Sequence, residues 1–482
     1  MSDSMAEPFG SPIETAAAVN AGNLDPVELI DETLTRIEMR NDRTSAYVTV
    51  IPEMAREQAL DVRERVEGGE ELPLAGVPVG LKDLGDTKTG VVHTMGLPFL
   101  ADNVAEETAI RVRRLEAAGA VPVGMTSVPE LGHSARTENE LVGPTGTPFD
   151  PEYNAGGSSG GSAAALADGL CGLATGSDLG GSLRQPAACC GVVSLKPTHG
   201  LVPNASEHNG FLGHTPFSVH GPMARDVASL ARMLDVIAGR ATIDPMSVPT
   251  PDEYEAAAEP ADPDDLSFAY SSGLDLFPVE SAVRETIEST LAEIESAGAT
   301  VAEVAPDTPD REVVDQLYAS TSPAYFVENV ERLSRELGHD LLANHDDSLS
   351  DELKQTVEWG RELDITDYLN GNFARTELYH AIESVLTEYD ALVCPVLATP
   401  PLRHDEPYPT EIDGAETGGI TTDWTLAWVF NLTGHPVVTV PAGTVDGLPI
   451  GMQIVGSTFS EADMLAIATT IEELCPWSYP DE

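Results

Sequence analysis

Two loops built almost entirely from glycine and serine, each followed by a helical pattern, constrain the fold of this chain most strongly. The first is GGSSGGSAAALADGL at residues 156–170, and the second is GSDLGGSLRQP at residues 176–186. In each loop two adjacent glycines precede a serine, Ser158 in the first and Ser182 in the second. Glycine has no Cβ, so such pairs allow backbone N–H groups to turn toward one point. We therefore expect the loops to combine serine hydroxyls with backbone donors.

The first loop, taken alone, has three interpretations. A phosphate-binding P-loop needs a lysine after the glycines, and Ser162 and Ala163 stand there, which excludes it. A nucleophile elbow needs G-x-S-x-G, which Ser159 satisfies, and His435 is one of several candidate bases. That match is weak because any loop this rich in both residues fits the pattern. The third interpretation is a plain turn in which Ser162 caps the following helix.

The second loop favours acyl-transfer chemistry, because a serine beside free backbone N–H groups supplies a nucleophile and donors for a developing oxyanion. The serine also needs a base, and Lys82 ends an apolar strand pattern, LAGVPVGLKDL. Burial disfavours the ammonium form and makes a neutral lysine accessible. The structural alternative is an ion pair of Lys82 with Asp83 or Asp86. In that case Ser158 and Ser182 would simply cap helices.

Composition limits the class of protein and its partners. The 482 residues include 80 acidic and 25 basic side chains, a formal net charge of −55. Such a surface repels nucleic acid and anionic lipid, so we expect this chain by itself to bind neither. No apolar run reaches the 18 residues of a membrane span, and no secretory signal is evident, so a cytoplasmic protein is expected. The charge density indicates adaptation to high salt, as in a halophile, because salt screens the self-repulsion.

The cysteines and the potential metal ligands predict neither a disulfide framework nor a metal site. Five cysteines are few and odd in number, which does not suit paired bridges. Neither C-x-x-C nor H-E-x-x-H spacing occurs, so zinc is not expected. The chemistry considered above needs no cofactor.

Alternating helix and strand patterns predict an α/β fold, and strand signals at both ends of the chain favour a single sheet. We therefore expect one domain over residues 1–482. Residues 203–222 carry no strand pattern and are predicted to form a loop. The expected segments are N-terminal helices at 1–70, a catalytic core at 71–240, an acidic proline-rich surface excursion at 244–266, a helical region that lines the substrate pocket at 310–390 and late strands at 391–470.

Longer motifs around the two loops resemble the amidase signature family of serine hydrolases over most of the chain. LAGVPVGLKDLGDTKTG is similar to the family's lysine segment, and the two glycine/serine loops with the residues that join them are similar to its signature block. HGPMARDVASLARMLDVIAG and FNLTGHPVVTVPAGTVDGLPIGMQIVG also follow the family pattern. The resemblance implies a single large α/β domain whose mixed, mostly central β-sheet is covered by helices on both faces.

The resemblance also implies a catalytic group of two serines and a lysine. Ser182 would be the nucleophile and Lys82 the base. Ser158 would bridge them after a cis peptide bond with Gly157. The implied reaction is hydrolysis of a carboxamide to a carboxylic acid and ammonia or an amine, through an acyl-enzyme on Ser182.

Backbone donors and a supporting pair complete the implied site. The family usually has threonine where Leu179 stands, and only the local hydrogen bonding, not the backbone donor, depends on that side chain. Asp178 and Arg184 would support the loop from outside the catalytic group. The expected oxyanion donors are the N–H groups of Leu179, Gly180, Gly181 and Ser182.

Two functions remain open under this resemblance, and a third ranks last. A free amidase would act on a small-molecule amide, whereas the glutaminase subunit of a tRNA-dependent amidotransferase would pass ammonia to a partner subunit. HGLVPNASEHNGFLGHTPFSVHGPMAR looks like the free hydrolases, which favours the amidase. An inactive binding protein ranks last because all three catalytic residues are present. The substrate is not legible from the sequence, although residues 203–218 and 318–375 are expected to shape its pocket, and a homodimer is compatible with the family.

Overall fold

The computed structural model describes residues 10–205, 209–211 and 217–480, and its strands form one large sheet and three small ribbons. The strands within the described residues are β1 (Tyr47–Val50), β2 (Pro78–Lys82), β3 (Val121–Thr126), β4 (Glu138–Asn139), β5 (Gly143–Pro144), β6 (Gly146–Thr147), β7 (Asp150–Asn154), β8 (Leu173–Asp178), β9 (Val193–Lys196), β10 (Val219–Ala224), β11 (Ser267–Tyr270), β12 (Thr300–Glu303), β13 (Ala391–Pro395), β14 (Glu411–Ile412), β15 (Ala415–Glu416), β16 (Val437–Val445) and β17 (Leu448–Val455).

Helices lie in about half of the connections between consecutive strands. They are α1 (Pro12–Asn20), α2 (Pro26–Thr44), α3 (Pro52–Glu67), α4 (Ile110–Ala117), α5 (Gly160–Ala167), α6 (Arg184–Cys190), α7 (Val227–Ile237), α8 (Tyr254–Ala257), α9 (Ser281–Ser296), α10 (Arg311–Leu337), α11 (Leu341–Asn344), α12 (Asp351–Glu362), α13 (Ile365–Leu386), α14 (Thr421–Trp424), α15 (Val429–Thr433) and α16 (Glu461–Leu474). None of these described helices combines the length and the apolar character needed to cross a bilayer.

The large sheet has eleven strands in the order β1-β3-β2-β8-β10-β9-β16-β17-β13-β11-β12. β2 runs parallel to both β3 and β8, and β11 runs parallel to both β12 and β13. Between these two parallel groups the strands alternate in direction from β8 to β13. The predicted mixed sheet is therefore confirmed.

Helices cover both faces of this sheet. Every residue of β2, β3 and β8 is buried, and side chains of a strand point alternately to its two faces, so complete burial requires cover on each side. Helices α3, α5, α6, α7 and α9 all pack on strands of the sheet. The predicted α/β architecture is confirmed.

The predicted loop over 203–222 is wrong at its end, because β10 begins at Val219 and pairs with β8 on one side and β9 on the other. Gly221 and Pro222 interrupt the strand pattern in the sequence. A Cβ on Gly221 would lie 2.0 Å from the carbonyl oxygen of Leu195, so only glycine fits where the chain passes this neighbour. Residues 206–208 and 212–216 of the predicted loop lie outside the described residues.

The predicted N-terminal helices are present from residue 12, and residues 1–9 lie outside the described chain. α2 begins as its sequence suggests, with Pro26 in the first turn and the Asp25 carboxylate accepting the Val27 N–H at 2.8 Å. In the acidic stretch at 244–266, α8 is the one α-helix, and its Tyr254 is fully buried. Ala258 and Leu266 are also buried in the main core, so the stretch is anchored to the core at several points.

Residues 311–386 form a helical cap of four helices, α10 to α13. The apolar faces of α10, α11 and α12 build a second buried cluster with the loop at residues 95–100 and with Leu131. Leu179, from the second glycine/serine loop, packs against both this cluster and the main core. The helical cap therefore lies directly against the loop that carries Ser182.

Candidate active site

The glycine/serine loops meet Lys82 at one edge of the sheet. Lys82 is the last residue of β2, and β2 runs parallel to β8, so the carboxyl ends of both strands open at the same edge. The loop after β8 carries Ser182 and leads into α6, while the loop that carries Ser158 leads into α5. In α/β sheets this edge is where ligands bind.

The Lys82 side chain is fully buried, and within the described residues its Nζ donates to neutral oxygens only. It donates to Ser158 Oγ at 2.9 Å, to Ser177 Oγ at 2.9 Å and to the Ser177 carbonyl at 3.2 Å. Its backbone N–H donates to Thr175 Oγ1 at 2.8 Å, which fixes the end of the strand. The amine therefore lies beside two hydroxyls, and no carboxylate of the described residues contacts it.

Burial is the dominant influence on the pKa of Lys82 and lowers it to about 7, although the nearby negative charges of Asp178 and Asp86 act in the opposite direction. Removal of the amine from water therefore outweighs the negative charges around it. A large fraction of the amine is then uncharged near neutral pH, which is the form that accepts a proton.

The ion-pair alternative for Lys82 is not what the structure holds. The Asp83 carboxylate accepts the backbone N–H of Thr94 at 3.0 Å and is also bonded by the Thr94 hydroxyl. Asp86 accepts from Arg111 Nε at 2.8 Å. Both carboxylates are therefore engaged elsewhere, because each has found donors on a neighbouring loop or helix.

Ser158 follows the expected cis peptide bond with Gly157. Its side chain is buried, and a Cβ on Gly132 would lie 3.2 Å from Ser158 Oγ and 2.6 Å from Leu84 Cδ2. The residue at the start of α5 is Ser159, and no side chain caps that helix. The capping alternative for Ser158 is therefore wrong.

Ser182 is partly exposed and lies next to the first loop through the backbone, since its carbonyl accepts the Ser159 N–H at 3.2 Å. The residue at the start of α6 is Leu183, without a side-chain cap, so Ser182 does not cap that helix either. Within the described chain, no hydrogen bond joins the hydroxyls of Ser182 and Ser158. The structure thus links Lys82 to Ser158 directly and brings Ser182 alongside.

The expected oxyanion donors separate into two groups. The Gly181 N–H donates to Asp178 Oδ1 at 2.7 Å, so the expectation for this residue is not met. The physical reason is that the buried Asp178 carboxylate attracts the nearest donors. The N–H groups of Leu179, Gly180 and Ser182 have no acceptor among the residues that the structure describes. These three remain available to an oxygen of a substrate.

Asp178 and Arg184 form a fully buried ion pair, with Arg184 Nη2 to Asp178 Oδ1 at 3.0 Å and Nε to Oδ2 at 3.0 Å. Burial by itself raises the pKa of the Asp178 carboxyl, but Arg184, Asn431 and the Leu183 N–H more than offset it and hold the pKa well below its usual range. A permanently charged carboxylate then holds both ends of the turn through Gly181 and Leu183.

Sequence reasoning missed two residues of this network. Asn431 donates to Asp178 Oδ1 at 2.7 Å and accepts from Arg184 at 2.6 Å, and Ser177 contacts Lys82. Asn431 lies in FNLTGHPVVTVPAG, which already follows the family pattern and was the available signal. Ser177 had none, because a serine before an aspartate at the end of a strand has many structural uses.

The remaining interpretations of the first loop are wrong. Ser162 lies inside α5 and donates to the Thr175 carbonyl at 2.8 Å, so it does not cap the helix. The Ser159 hydroxyl faces the backbone of Ser177, at 3.4 Å from both its nitrogen and its carbonyl oxygen. His435 instead contacts Glu383 at 3.0 Å, so the Ser159–His435 elbow is not assembled.

Comparison with known proteins identifies the family. The family described as Amidase matches residues 28–465. An acylamidase of Rhodococcus erythropolis is 34% identical over 476 residues, which cover 97% of this chain and 96% of that protein. A glutamyl-tRNA(Gln) amidotransferase subunit of Exiguobacterium sibiricum is 33% identical over 485 residues, covering 94% of this chain and 95% of the relative.

Solved structures give the same answer for the fold. The crystal structure of a bacterial aryl acylamidase of the amidase signature family superposes with a TM-score of 0.90 at 29% identity, over 97% of each chain. The chain belongs to the amidase signature family of hydrolases that cleave carbon–nitrogen amide bonds.

Proposed function

We propose that this amidase works through a Ser182–Ser158–Lys82 group, with Ser182 as the nucleophile. The observation that carries the proposal is the contact of a buried Lys82 amine with the Ser158 hydroxyl at 2.9 Å, at a place where no carboxylate of the described part of the chain pairs with the amine. A neutral amine in contact with a hydroxyl can withdraw its proton, and that hydroxyl can in turn withdraw the proton of a second serine.

The reaction follows from that order of groups. Lys82 takes the proton of Ser158 as Ser158 takes that of Ser182, and Ser182 Oγ bonds to the carbonyl carbon of the amide. Collapse of the tetrahedral intermediate breaks the carbon–nitrogen bond, and the leaving nitrogen receives the proton back through Ser158. Water then attacks the acyl-enzyme by the same relay and releases the carboxylic acid.

The charge that develops on the carbonyl oxygen needs fixed donors. The N–H groups of Leu179, Gly180 and Ser182 are the candidates, since Gly181 already donates to Asp178. Asp178 and Arg184 hold this turn in place before substrate arrives. Their burial and mutual hydrogen bonds support a structural role rather than contact with substrate.

An apolar group on the substrate fits the surroundings of the serines. Leu84 lies against Gly132 beside Ser158, and Leu179 packs on the apolar cluster beneath α10 together with Tyr325 and Phe326. We therefore propose amides with an apolar or aryl acyl or amine part, as the names of the acylamidase relatives suggest. The helical cap would supply much of this pocket, in keeping with the segment 318–375.

The test is an amide panel of aliphatic amides, anilides and glutamine, assayed for release of ammonia or amine at high salt. Ser182→Ala is expected to lose at least about 10⁴-fold in kcat, because the catalytic group acts as a unit. Ser296→Ala, an exposed serine on α9, is the matched control and is expected to keep wild-type turnover. With wild type, hydroxylamine should intercept the acyl-enzyme and release the acyl group as a hydroxamic acid, and mass spectrometry of enzyme quenched with acid in the absence of hydroxylamine should place the acyl group on Ser182. Unchanged turnover in Ser182→Ala would overturn the proposal.

The same panel decides between the two functions that the sequence left open. The relatives among the amidotransferase subunits favour a glutaminase that works with a partner, whereas the apolar surroundings of Ser158 favour a free amidase. We expect anilides to be cleaved by the chain alone and glutamine to be a poor substrate. Glutamine turnover that emerges only with a co-purified second protein would favour the glutaminase.

Further features of the chain complete the proposal. The formal net charge of −55 supports a cytoplasmic protein adapted to high salt, so activity and stability should rise with salt concentration.

A homodimer remains part of the proposal, and sedimentation in high salt tests it. We propose a single domain over 1–482 that consists of five segments. They are an N-terminal helical segment at 1–70, a core at 71–240, an excursion at 244–266, a helical region at 310–390 and late strands at 391–470.

A further inference from the structure

Tyr318 of the helical cap lies over the turn that carries the backbone donors. A Cβ on Gly180 would lie 2.8 Å from Tyr318 Oη, closer than real Cβ contacts allow, and 3.8 Å from Trp428 Cβ. The phenol oxygen therefore occupies the space beside Gly180 that a side chain would need. Glycine at this position leaves room for the hydroxyl next to the free N–H groups.

Aromatic packing fixes the Tyr318 ring in this place. Its centroid is 5.0 Å from that of Trp428, at an interplanar angle of 49°. Trp428 is fully buried, donates its indole N–H to the Thr422 carbonyl at 3.1 Å and packs edge-on against Phe277 at 5.8 Å. A ring held by such contacts loses little freedom when its hydroxyl engages a ligand.

The Tyr318 hydroxyl stays protonated and has a polar neighbour on its own helix. Burial raises the pKa of Tyr318 to about 12, with Ser322 one turn further along α10 acting in the opposite direction and Asp178 adding to the rise. Only one of the two hydroxyl protons of Tyr318 and Ser322 is needed for a hydrogen bond between them. When Ser322 donates to the phenol oxygen, the Tyr318 O–H can donate to another acceptor.

We propose that the Tyr318 hydroxyl is an additional oxyanion donor, which hydrogen-bonds the carbonyl oxygen of the amide as it becomes negatively charged. The proposal rests on the proposed function and adds a catalytic residue to it. It gives a reason for the arrangement around Gly180: the Gly181 N–H donates to Asp178, and the cap supplies a donor that joins the remaining N–H groups of Leu179, Gly180 and Ser182.

The test compares Tyr318→Phe with Tyr389→Phe, a matched removal of a tyrosine hydroxyl in the turn between α13 and β13. For Tyr318→Phe we expect kcat to fall by about 10²-fold on two amides with different leaving groups, with KM within about threefold of wild type. Tyr389→Phe should match wild type in both constants. Loss of the donor should weaken binding of a boronic acid, which forms a tetrahedral adduct with Ser182, by the same factor as kcat/KM.

Two further variants keep the outcome decisive if the Tyr318 variant is poorly folded. Ser322→Ala leaves the ring in place and should lower kcat about tenfold, and Gly180→Ala should displace the hydroxyl and lower kcat at least as much as Tyr318→Phe. Wild-type kcat in Tyr318→Phe, or a loss confined to KM, would overturn the donor role. If Ser182→Ala is inactive at the same time, the proposed function stands and only this inference fails.

Discussion

Lys82 and Lys196 are two fully buried lysines, and burial is the largest cause that lowers the pKa of each to about 7. Their contacts differ. Lys82 donates to two serine hydroxyls and a carbonyl, whereas Lys196 donates to the Pro197 carbonyl at 3.1 Å. The positive charge of Arg184 also lowers the pKa of Lys196, and Asp178 and Glu461 raise it.

The pair teaches that a lowered pKa does not by itself make a base. Both amines are uncharged to a similar degree near neutral pH, but only Lys82 has a hydroxyl in contact that leads toward a nucleophile. A proton can be withdrawn only from a group within hydrogen-bond reach, so geometry decides which lysine takes part in the chemistry. Lys196 is the control that the molecule itself provides.

The strongest test of this contrast is the same substitution at both lysines. Lys82→Met should reduce kcat by at least about 10³-fold, because the relay loses its final acceptor. Lys196→Met should stay within about threefold of wild type. Anilide turnover at saturating substrate measures both, with near-ultraviolet circular dichroism to show that each variant is folded. Comparable losses at the two positions would break the contrast.

A second test removes the Asp178 carboxylate, whose charge raises the pKa of both lysines. Asp178→Ala leaves Arg184 buried without its partner, and the free energy of unfolding should fall by about 3–5 kcal/mol. Chemical denaturation followed by fluorescence measures it. Arg311→Ala, which removes a partly exposed pair with Asp423, is the control and should cost clearly less. A loss at Asp178 no greater than that of the control would contradict its place at the centre of the loop.

The pH dependence of the rate sharpens the comparison further. Because Lys82 works in its uncharged form, kcat/KM should fall about tenfold per pH unit as the pH drops below about 7 and should be level above it. Stopped assays at constant high ionic strength give this profile. Lys196→Met should retain the same acidic limb. If the acidic limb disappeared in Lys196→Met, the limb would belong to Lys196 and not to Lys82.

The pH dependence of the free energy of unfolding should depend on Lys196, whereas activity should not. Its pKa is about 7 in the folded protein and about 10.5 when exposed, so the unfolded state binds the extra proton between these values and stability rises with pH across that window. Lys196→Met should remove about 1.4 kcal/mol per pH unit from this slope. Denaturation midpoints from pH 7.5 to 9.5 measure it, and an unchanged slope would mean that Lys196 stays charged.

The smallest expected effect concerns the second hydroxyl that contacts Lys82. Ser177→Ala removes the Ser177 Oγ contact at 2.9 Å but keeps the carbonyl at 3.2 Å, so the amine should lose orientation and kcat should drop about tenfold. KM should not change. Full activity in this variant would show that Ser158 and the backbone alone hold the lysine.

The sequence predicts the residues of the proposed catalytic group more readily than the residues around them. Lys82 and the two loop serines stand in motifs whose residue types have few other combined uses, and the strand that ends at Lys82 has a clear apolar pattern. Ser177 and Asn431 were invisible because their importance depends on what lies across the fold: Asn431 reaches Asp178 from 253 residues away. Local patterns carry no information about such distant partners.

The same limit explains the two errors around the second loop. The sequence does not predict β10 because Gly221 and Pro222 interrupt its strand pattern. The strand is stabilised by its pairing with β8 and β9. The Gly181 N–H was assigned to the oxyanion because the sequence gives no sign that the Asp178 carboxylate turns back to accept it at 2.7 Å. Tyr318 was hidden in a long helical segment whose inner face only the packed structure reveals.

The place of β16 and β17 in the middle of the sheet has a consequence for how the protein is made. β16 pairs with β9, and 241 residues (437 − 196) separate Lys196 from Val437 in that pairing. At a synthesis rate of about 5–20 residues per second, the ribosome releases the second strand about 10–50 s after the first. During that interval the nascent chain exposes an open strand edge of the kind that promotes aggregation. Protection of this edge during translation is therefore part of what a cell must supply to obtain the active enzyme.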